Sequence, residues 1–169
     1  MKNIIVGFSI VFCVLLFACQ SKETNEAADN KNKTDRNTEL AIKRGIEKAK
    51  KTLKIDFLDV FENKLDLDNY NYSIKMSIRN FEQEEHIWID NLRYDNSNAL
   101  VGFIANQPKH LTHVKSGDKV KIEYDDIVDW MYLKDDMLYG GYTIKAMAED
   151  MSEDQKKAFE EKLGFKLGK

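Results

Sequence analysis

The residue of this sequence best suited to acid–base chemistry is His86. It follows Glu84 and Glu85, and the alternation of side chains along a strand places it on the same face as Trp88. An imidazole beside a carboxylate can transfer protons near neutral pH, so one hypothesis is an enzyme of unknown type that uses His86 with Glu85 or Asp129. A structural or edge histidine satisfied by hydrogen bonds is the favoured interpretation. No serine lies in a glycine-framed nucleophile elbow, so the sequence contains no hydrolase motif.

Two clusters contain side chains that bind metals, but neither has the spacing of a known metal site. His110-x-x-His113 follows a proline and has no clear third ligand. The aspartates within residues 125–129 do not match an EF-hand loop, and we interpret them as a turn with one aspartate packed beside Trp130. The sequence therefore predicts no metal and no cofactor.

Aromatic side chains are the other candidate binding groups. Most aromatic residues belong to cores or cross-strand pairs, and some of them line ligand clefts. The candidates for a cleft lining are Trp88, Trp130, Tyr132, Tyr139 and Tyr142. The residues that we predict to bind a ligand are His86, Trp88, Asp129, Trp130 and Tyr142.

These residues must be positioned by a helix and a sheet. Apolar periodicity predicts a helix over residues 38–62, with Ala49, Leu53 and Phe57 in the core. The opposite face of this helix is basic, and we interpret it as a solvated face because packing on a sheet explains the apolar stripe.

A change of period from about 3.6 to 2 predicts six strands after the helix. They cover residues 70–79, 85–94, 99–106, 119–124, 127–133 and 138–147. In the last hairpin, Asp129 and Met131 should share one face, with Trp130 and Tyr132 on the other.

Two local motifs complete the predicted fold. Gly140-Gly141 lacks a phosphate-loop motif and no helix is predicted after it, so the pair indicates a bulge or a close backbone approach. Ser152-x-x-Gln155 is a capping box that predicts a short helix ending near Gly164. The predicted fold class is α+β, with an N-terminal amphipathic helix packed on a strongly bent antiparallel sheet of about six strands and a short C-terminal helix.

Composition indicates one globular domain. The chain has 169 residues, of which 43% are hydrophobic and 33% charged, with a single proline, and this excludes collagen-like and Pro-rich disordered chains. The formal net charge of -3 gives no global positive field, so nucleic acid is not an expected partner.

The N-terminal sequence predicts the cellular location of the protein. A short basic start and an apolar stretch make residues 1–18 a signal peptide, and Leu16-Phe17-Ala18-Cys19 resembles the lipobox of bacterial lipoproteins. Cys19 would carry the lipid, such as palmitate, at the head of a flexible tether over residues 19–38, followed by a single domain over residues 39–169. We therefore expect a membrane partner through the lipid, and a domain on the non-cytoplasmic side of the bacterial cell membrane or the outer membrane.

Five sequence blocks carry a resemblance to a known family. The blocks are Glu85-His86-Ile87-Trp88, Gly102-x-x-x-Asn106-x-Pro108, Lys115-x-Gly117-Asp118-x-Val120, Ile127-x-Asp129-Trp130-Met131-Tyr132 and Gly140-Gly141-Tyr142-Thr143-Ile144. In order and spacing they resemble the bacterial domain-of-unknown-function family 2314, also called YegJ-like, over about residues 72–147. The resemblance names the domain but does not assign any particular activity to it. The favoured function is a non-catalytic envelope module, immunity-like or inhibitor-like, that binds an envelope protein or a small ligand; the alternative is the enzyme centred on His86.

Overall fold

The computed structural model describes residues 20–63 and 71–168, with side chains from residue 35 onward. The chain divides into two compact units between Asn37 and Thr38, and all the described strands belong to the second unit. The predicted signal peptide and the lipidated Cys19 lie outside the described residues, as does residue 70 of the first predicted strand. The predictions of a signal peptide and a lipid therefore stay predictions.

A long helix, α1 (Gln20–Thr52), opens the described chain. It continues through one π-helical turn (Leu53–Leu58) and the short helix α2 (Asp59–Asn63), so its end agrees with the predicted end. Its start differs, because residues 20–38, predicted as a flexible tether, are helical. The prediction considered only the lack of apolar residues, but this segment carries Glu, Lys and Ala and contains no Gly or Pro that would break a helix.

Among the described residues, six antiparallel strands form one sheet. They are β1 (Asn71–Arg79), β2 (Glu84–Tyr94), β3 (Leu100–Ile104), β4 (Lys119–Lys121), β5 (Ile127–Lys134) and β6 (Met137–Gly140). Their order across the sheet is β4-β3-β2-β1-β5-β6. Register shifts at Lys75/Met76 and between Asp90 and Arg93 interrupt the ladder, and such irregularities bend strands. The predicted α+β class is confirmed.

One face of the sheet packs against α1 and the π-helical turn. Ile74 and Trp130 are cross-strand partners on this face, and both are buried. The predicted core residues Ala49 and Phe57 are buried in the same cluster, and Leu53 is partly buried against it. This face therefore forms the main hydrophobic core.

The predicted strand over residues 138–147 is wrong beyond Gly140. β6 ends there, and the helix α3 (Tyr142–Met147) follows. The alternating apolar pattern after the glycines is typical of a strand, but Gly140 and Gly141 both adopt positive φ and turn the chain into a helix. The expectation that no helix follows the glycine pair is therefore wrong as well.

The C-terminal segment covers the opposite face of the sheet over β5 and β6. The helix α4 (Glu153–Leu163) begins with the predicted capping box of Ser152 and Gln155, and it ends at Gly164 in a left-handed conformation. The buried members of this second apolar cluster are Leu138, Ile144, Ala148 and Leu167. None of the helices that the structure describes combines the length and the apolar character required for a bilayer span.

Candidate functional site

Four of the five aromatic residues predicted to line a cleft do lie in one cleft, within the unit Thr38–Lys169. The four are Trp130, Tyr132, Tyr139 and Tyr142. The opposite wall is formed by α1, the π-helical turn and α2, through Lys48, Ile55, Asp56 and Val60. The cleft has a volume of about 550 Å³, which is in the range of about 300–1,000 Å³ that is usual for small-molecule sites. We call it the aromatic cleft.

Trp130 forms the floor of the aromatic cleft. Its indole N–H donates to the carbonyl oxygen of Ala49 at 3.0 Å and to Oγ1 of Thr52 at 3.2 Å. The ring centroid lies 5.4 Å from that of Phe57. Because only 2% of Trp130 is exposed, its main role is to attach β5 to α1, with the edge of the ring left at the bottom of the cleft.

Three tyrosines line the cleft beside Trp130. The rings of Tyr132 and Tyr139 stack in parallel with centroids 4.8 Å apart and an interplanar angle of 5°. The ring of Tyr142 stands at 89° to that of Trp130, with centroids 5.6 Å apart. Tyr139 is 42% exposed, so it is available to a ligand that enters from solvent.

The buried carboxylate of Asp129 holds Tyr142 in place. It accepts the backbone N–H groups of Tyr142 at 3.2 Å and Thr143 at 2.8 Å, the hydroxyl of Thr143 at 2.6 Å and its neighbour's N–H, that of Trp130, at 2.9 Å. The first amides of α3 have no partner within the helix, so the carboxylate satisfies donors that would otherwise be buried without an acceptor. Asp129 therefore positions the start of α3 instead of presenting a group to a ligand.

The electrostatics around Asp129 reflect this burial. Burial raises the pKa of Asp129, although the hydrogen bonds from Thr143, Trp130 and Tyr142 act in the opposite direction. Lys75, its cross-strand partner on β1, donates from Nζ to Oγ1 of Thr143 at 3.2 Å. The pKa of Lys75 is lowered by burial, and the charge of Asp129 opposes that shift. The group is a connected polar network behind the cleft.

Two glycines allow the backbone contacts that define the aromatic cleft. A side chain at Gly140 would collide with the carbonyl and ring of Trp130, which confirms the predicted close backbone approach. A Cβ at Gly45 of α1 would lie 2.9 Å from the carbonyl oxygen of Tyr142, so glycine lets α1 contact the β6–α3 turn directly. This contact brings Lys48 to 4.9 Å from the centroid of the Tyr142 ring.

Two of the predicted ligand-binding residues, His86 and Trp88, lie on β2 outside the lining of the aromatic cleft. Nε2 of His86 is 3.5 Å from Oε1 of Glu84, and both side chains are open to solvent. The ammonium of Lys75 lies 5.4 Å from the centroid of the Trp88 ring. Both residues lie on the sheet face opposite Trp130, where Trp88 packs against the second apolar cluster.

The two carboxylates predicted as catalytic partners of His86 are engaged elsewhere. Glu85 accepts the backbone N–H groups of Lys109 at 2.8 Å and His110 at 3.0 Å, and these bonds lower its pKa. Asp129 accepts the donors at the start of α3. Among the hydrogen bonds and ion pairs of the described residues, none joins His86 to either carboxylate.

The two clusters considered as metal ligands do not form a site in the described part of the chain. No group of three or more His, Cys, Asp or Glu side chains there is arranged to hold a metal ion. His110 and His113 are exposed in the loop that follows β3, and Asp126 pairs with Arg79 at 3.0 Å. Asp129 is turned away into its own hydrogen-bond network.

Sequence reasoning missed the two lysines of the aromatic cleft. Lys48 belongs to the basic face of α1 that was interpreted as solvated, and Lys145 lies on α3, which was predicted as a strand. No signal in the sequence joins these positions, because they meet only in the folded chain, where α1 contacts the β6–α3 turn at Gly45 and Tyr142 at Thr52.

Residues 39–167 match the family described as "Uncharacterized protein conserved in bacteria (DUF2314)". The match covers well over half of the chain, so the chain belongs to this family. The resemblance found in the five sequence blocks is thereby confirmed, and the matched region extends beyond residues 72–147 on both sides.

Two curated proteins are similar to this chain. One is a protein of Neisseria meningitidis serogroup B named as an ankyrin repeat protein, 31% identical over 133 residues that make up 75% of this chain and 52% of the relative. The other is the uncharacterized protein YegJ of Escherichia coli K12, 40% identical over 88 residues, 52% of this chain and 55% of the relative. The chain spans about half the length of the curated relatives that it matches. No solved structure matches it.

Proposed function

We propose that this chain is a lipid-anchored envelope module that binds a small ligand in the aromatic cleft without catalysing a reaction on it. The observation that carries the proposal is the cleft itself, in which the stacked rings of Tyr132 and Tyr139 and the ring of Tyr142 surround a volume of about 550 Å³. Flat aromatic walls over an anchored floor suit a ligand that has a planar apolar part.

Binding is favoured over catalysis by the state of the candidate catalytic groups. Asp129 and Glu85 both hold backbone amides, so neither carboxylate is placed to accept a proton from His86. The cleft lining contains aromatic, aliphatic and charged side chains, but His86 is not among them. In the described part of the chain, the carboxylate beside His86 is that of Glu84, at 3.5 Å, and not that of Glu85 or Asp129.

The proposed anchor rests on the sequence Leu16-Phe17-Ala18-Cys19. A Cys19→Ser variant should lose labelling by radioactive palmitate and be recovered as unprocessed precursor or as protein released from the membrane. A Cys13→Ser variant is the matched control, because it removes the other cysteine and should keep the label. Undiminished labelling of Cys19→Ser would refute the anchor and leave the cleft proposal standing.

The cleft proposal is tested with a neutral aromatic probe, 2-naphthalenemethanol, and the full-length chain in equilibrium dialysis. Tyr139→Ala removes an exposed ring of the cleft and should weaken binding about threefold to tenfold, the usual effect of one aromatic contact. Phe81→Ala removes a fully exposed ring at the β1–β2 turn, outside the cleft, and should leave binding unchanged. Equal binding by the wild type and Tyr139→Ala would overturn the proposal.

A further inference from the structure

Two ammonium groups lie beside the tyrosine rings of the aromatic cleft. Lys48 of α1 is 4.9 Å from the centroid of the Tyr142 ring, and Lys145 of α3 lines the same cleft. The pKa of Lys145 is lowered, first by burial and then by the positive charge of Lys48. Both lysines line the same cleft, and the charge of Lys48 disfavours the protonated form of Lys145.

The charge inside the aromatic cleft differs in sign from that of the whole protein. Among the described residues of the lining, the charged ones are Lys48, Lys145 and Asp56, whereas the chain as a whole has a net charge of -3. Asp129 also attracts Lys145, but its carboxylate is buried behind the cleft and accepts the amides of α3. The lining is thus a small cationic region on an acidic protein, which attracts anions.

We propose that the ligand of the aromatic cleft is an organic anion whose flat ring packs against the tyrosines while its carboxylate lies between Lys48 and Lys145. This inference rests on the proposed binding function and adds the chemical class of the ligand. A carboxylate placed there forms charge-assisted hydrogen bonds with both ammonium groups and removes their mutual repulsion.

The test compares two probes of the same shape, 2-naphthoate and the neutral 2-naphthalenemethanol, by equilibrium dialysis with the full-length chain. Wild-type protein should bind the anion about tenfold more tightly than the alcohol, as expected for a partly desolvated ion pair. Raising the salt concentration from about 0.05 M to about 0.5 M should weaken only the binding of 2-naphthoate, because salt screens the charges.

The lysines are tested with variants that remove the charge but keep the side chain polar. Lys48→Gln and Lys145→Gln should each weaken 2-naphthoate about threefold to tenfold and change the affinity for the alcohol less than about twofold. Lys50→Gln is the matched control: it removes the same charge from an exposed position of α1 outside the cleft lining, and it should change neither affinity.

The outcomes separate the two proposals. If both probes bind equally and depend on Tyr139, or if Lys48→Gln and Lys50→Gln have the same effect on 2-naphthoate, the anion inference is overturned and the aromatic cleft remains a binding site. If Tyr139→Ala changes neither affinity, the cleft function itself fails. Circular dichroism spectra that match the wild type show that each variant is folded before its affinities are compared.

Discussion

Two carboxylates of this domain do the same local task in opposite surroundings. Each carboxylate accepts two backbone N–H groups from a segment distant in sequence. Asp129 of β5 accepts those at the start of α3, and Glu85 of β2 accepts those in the loop after β3. Asp129 is fully buried and its pKa is raised by burial, whereas Glu85 is only half-buried and its hydrogen bonds lower its pKa. The extent of burial, and not the number of hydrogen bonds, therefore determines whether the pKa of each carboxyl group is raised or lowered.

In both surroundings the carboxylate that the sequence offers as a partner of His86 is hydrogen-bonded to backbone amides. A general base must accept a proton from the substrate, and both carboxylates here already accept hydrogen bonds from backbone N–H groups. The fully buried Asp129 is expected to contribute to global stability, and the half-buried Glu85 to the order of a single loop.

The largest effect in the β5–α3 region is expected at Trp130, the neighbour of Asp129 on the other face of the sheet. Trp130→Ala should cost about 3–5 kcal/mol of unfolding free energy, because it deletes a buried ring and the hydrogen bond to α1. Urea denaturation measures the loss. Trp88→Ala is the control on a half-buried tryptophan and should cost clearly less. Equal losses for the two variants would contradict the assignment of Trp130 to the core.

The next largest loss of unfolding free energy is expected at Asp129, where a polar group and not an apolar one is removed. Asp129→Ala should cost about 2–4 kcal/mol, because the amides of Tyr142 and Thr143 lose their acceptor in a buried place, while the cost of burying a charge is removed. Asp126→Ala, which breaks a surface ion pair with Arg79, should cost about 0–1 kcal/mol in the same urea experiment. An Asp129→Ala variant as stable as Asp126→Ala would show that α3 forms without the carboxylate.

The smallest effects concern pH, and they should have opposite signs at the two carboxylates. Because the pKa of Asp129 is raised on folding, its stabilisation is complete below its unfolded pKa of about 3.9 and is lost as the pH rises through the folded pKa. Because the pKa of Glu85 is lowered, its stabilisation is complete above its unfolded pKa of about 4.3 and is lost as the pH falls through the folded pKa.

The measurement is the difference in unfolding free energy between the wild type and each amide variant from about pH 3 to pH 7. The advantage of the wild type over Asp129→Asn should shrink as the pH rises, and its advantage over Glu85→Gln should grow. Differences that change in the same direction would mean that the two environments do not differ as described.

The sequence predicted those parts of the fold that depend on local patterns. The strands follow from alternation, and α4 follows from the capping box of Ser152, because both signals lie within a few residues of the structure they define. The helix α3 was missed because its start depends on Asp129, more than ten residues earlier in the chain and on another strand. Tyr142 was a candidate binding residue, and Tyr132 and Tyr139 were considered as a cleft lining from their residue type. Lys48 and Lys145 were not, since only the folded chain brings α1 beside α3.

The contact at Gly45 also has a practical consequence for engineering. Because a Cβ at Gly45 would lie only 2.9 Å from the carbonyl oxygen of Tyr142, a methyl group at this position would force the two backbones apart. Gly45→Ala should then widen the gap between Lys48 and the tyrosines without replacing any residue of the cleft lining. Position 45 thus offers a way to change the width of the aromatic cleft from outside its lining.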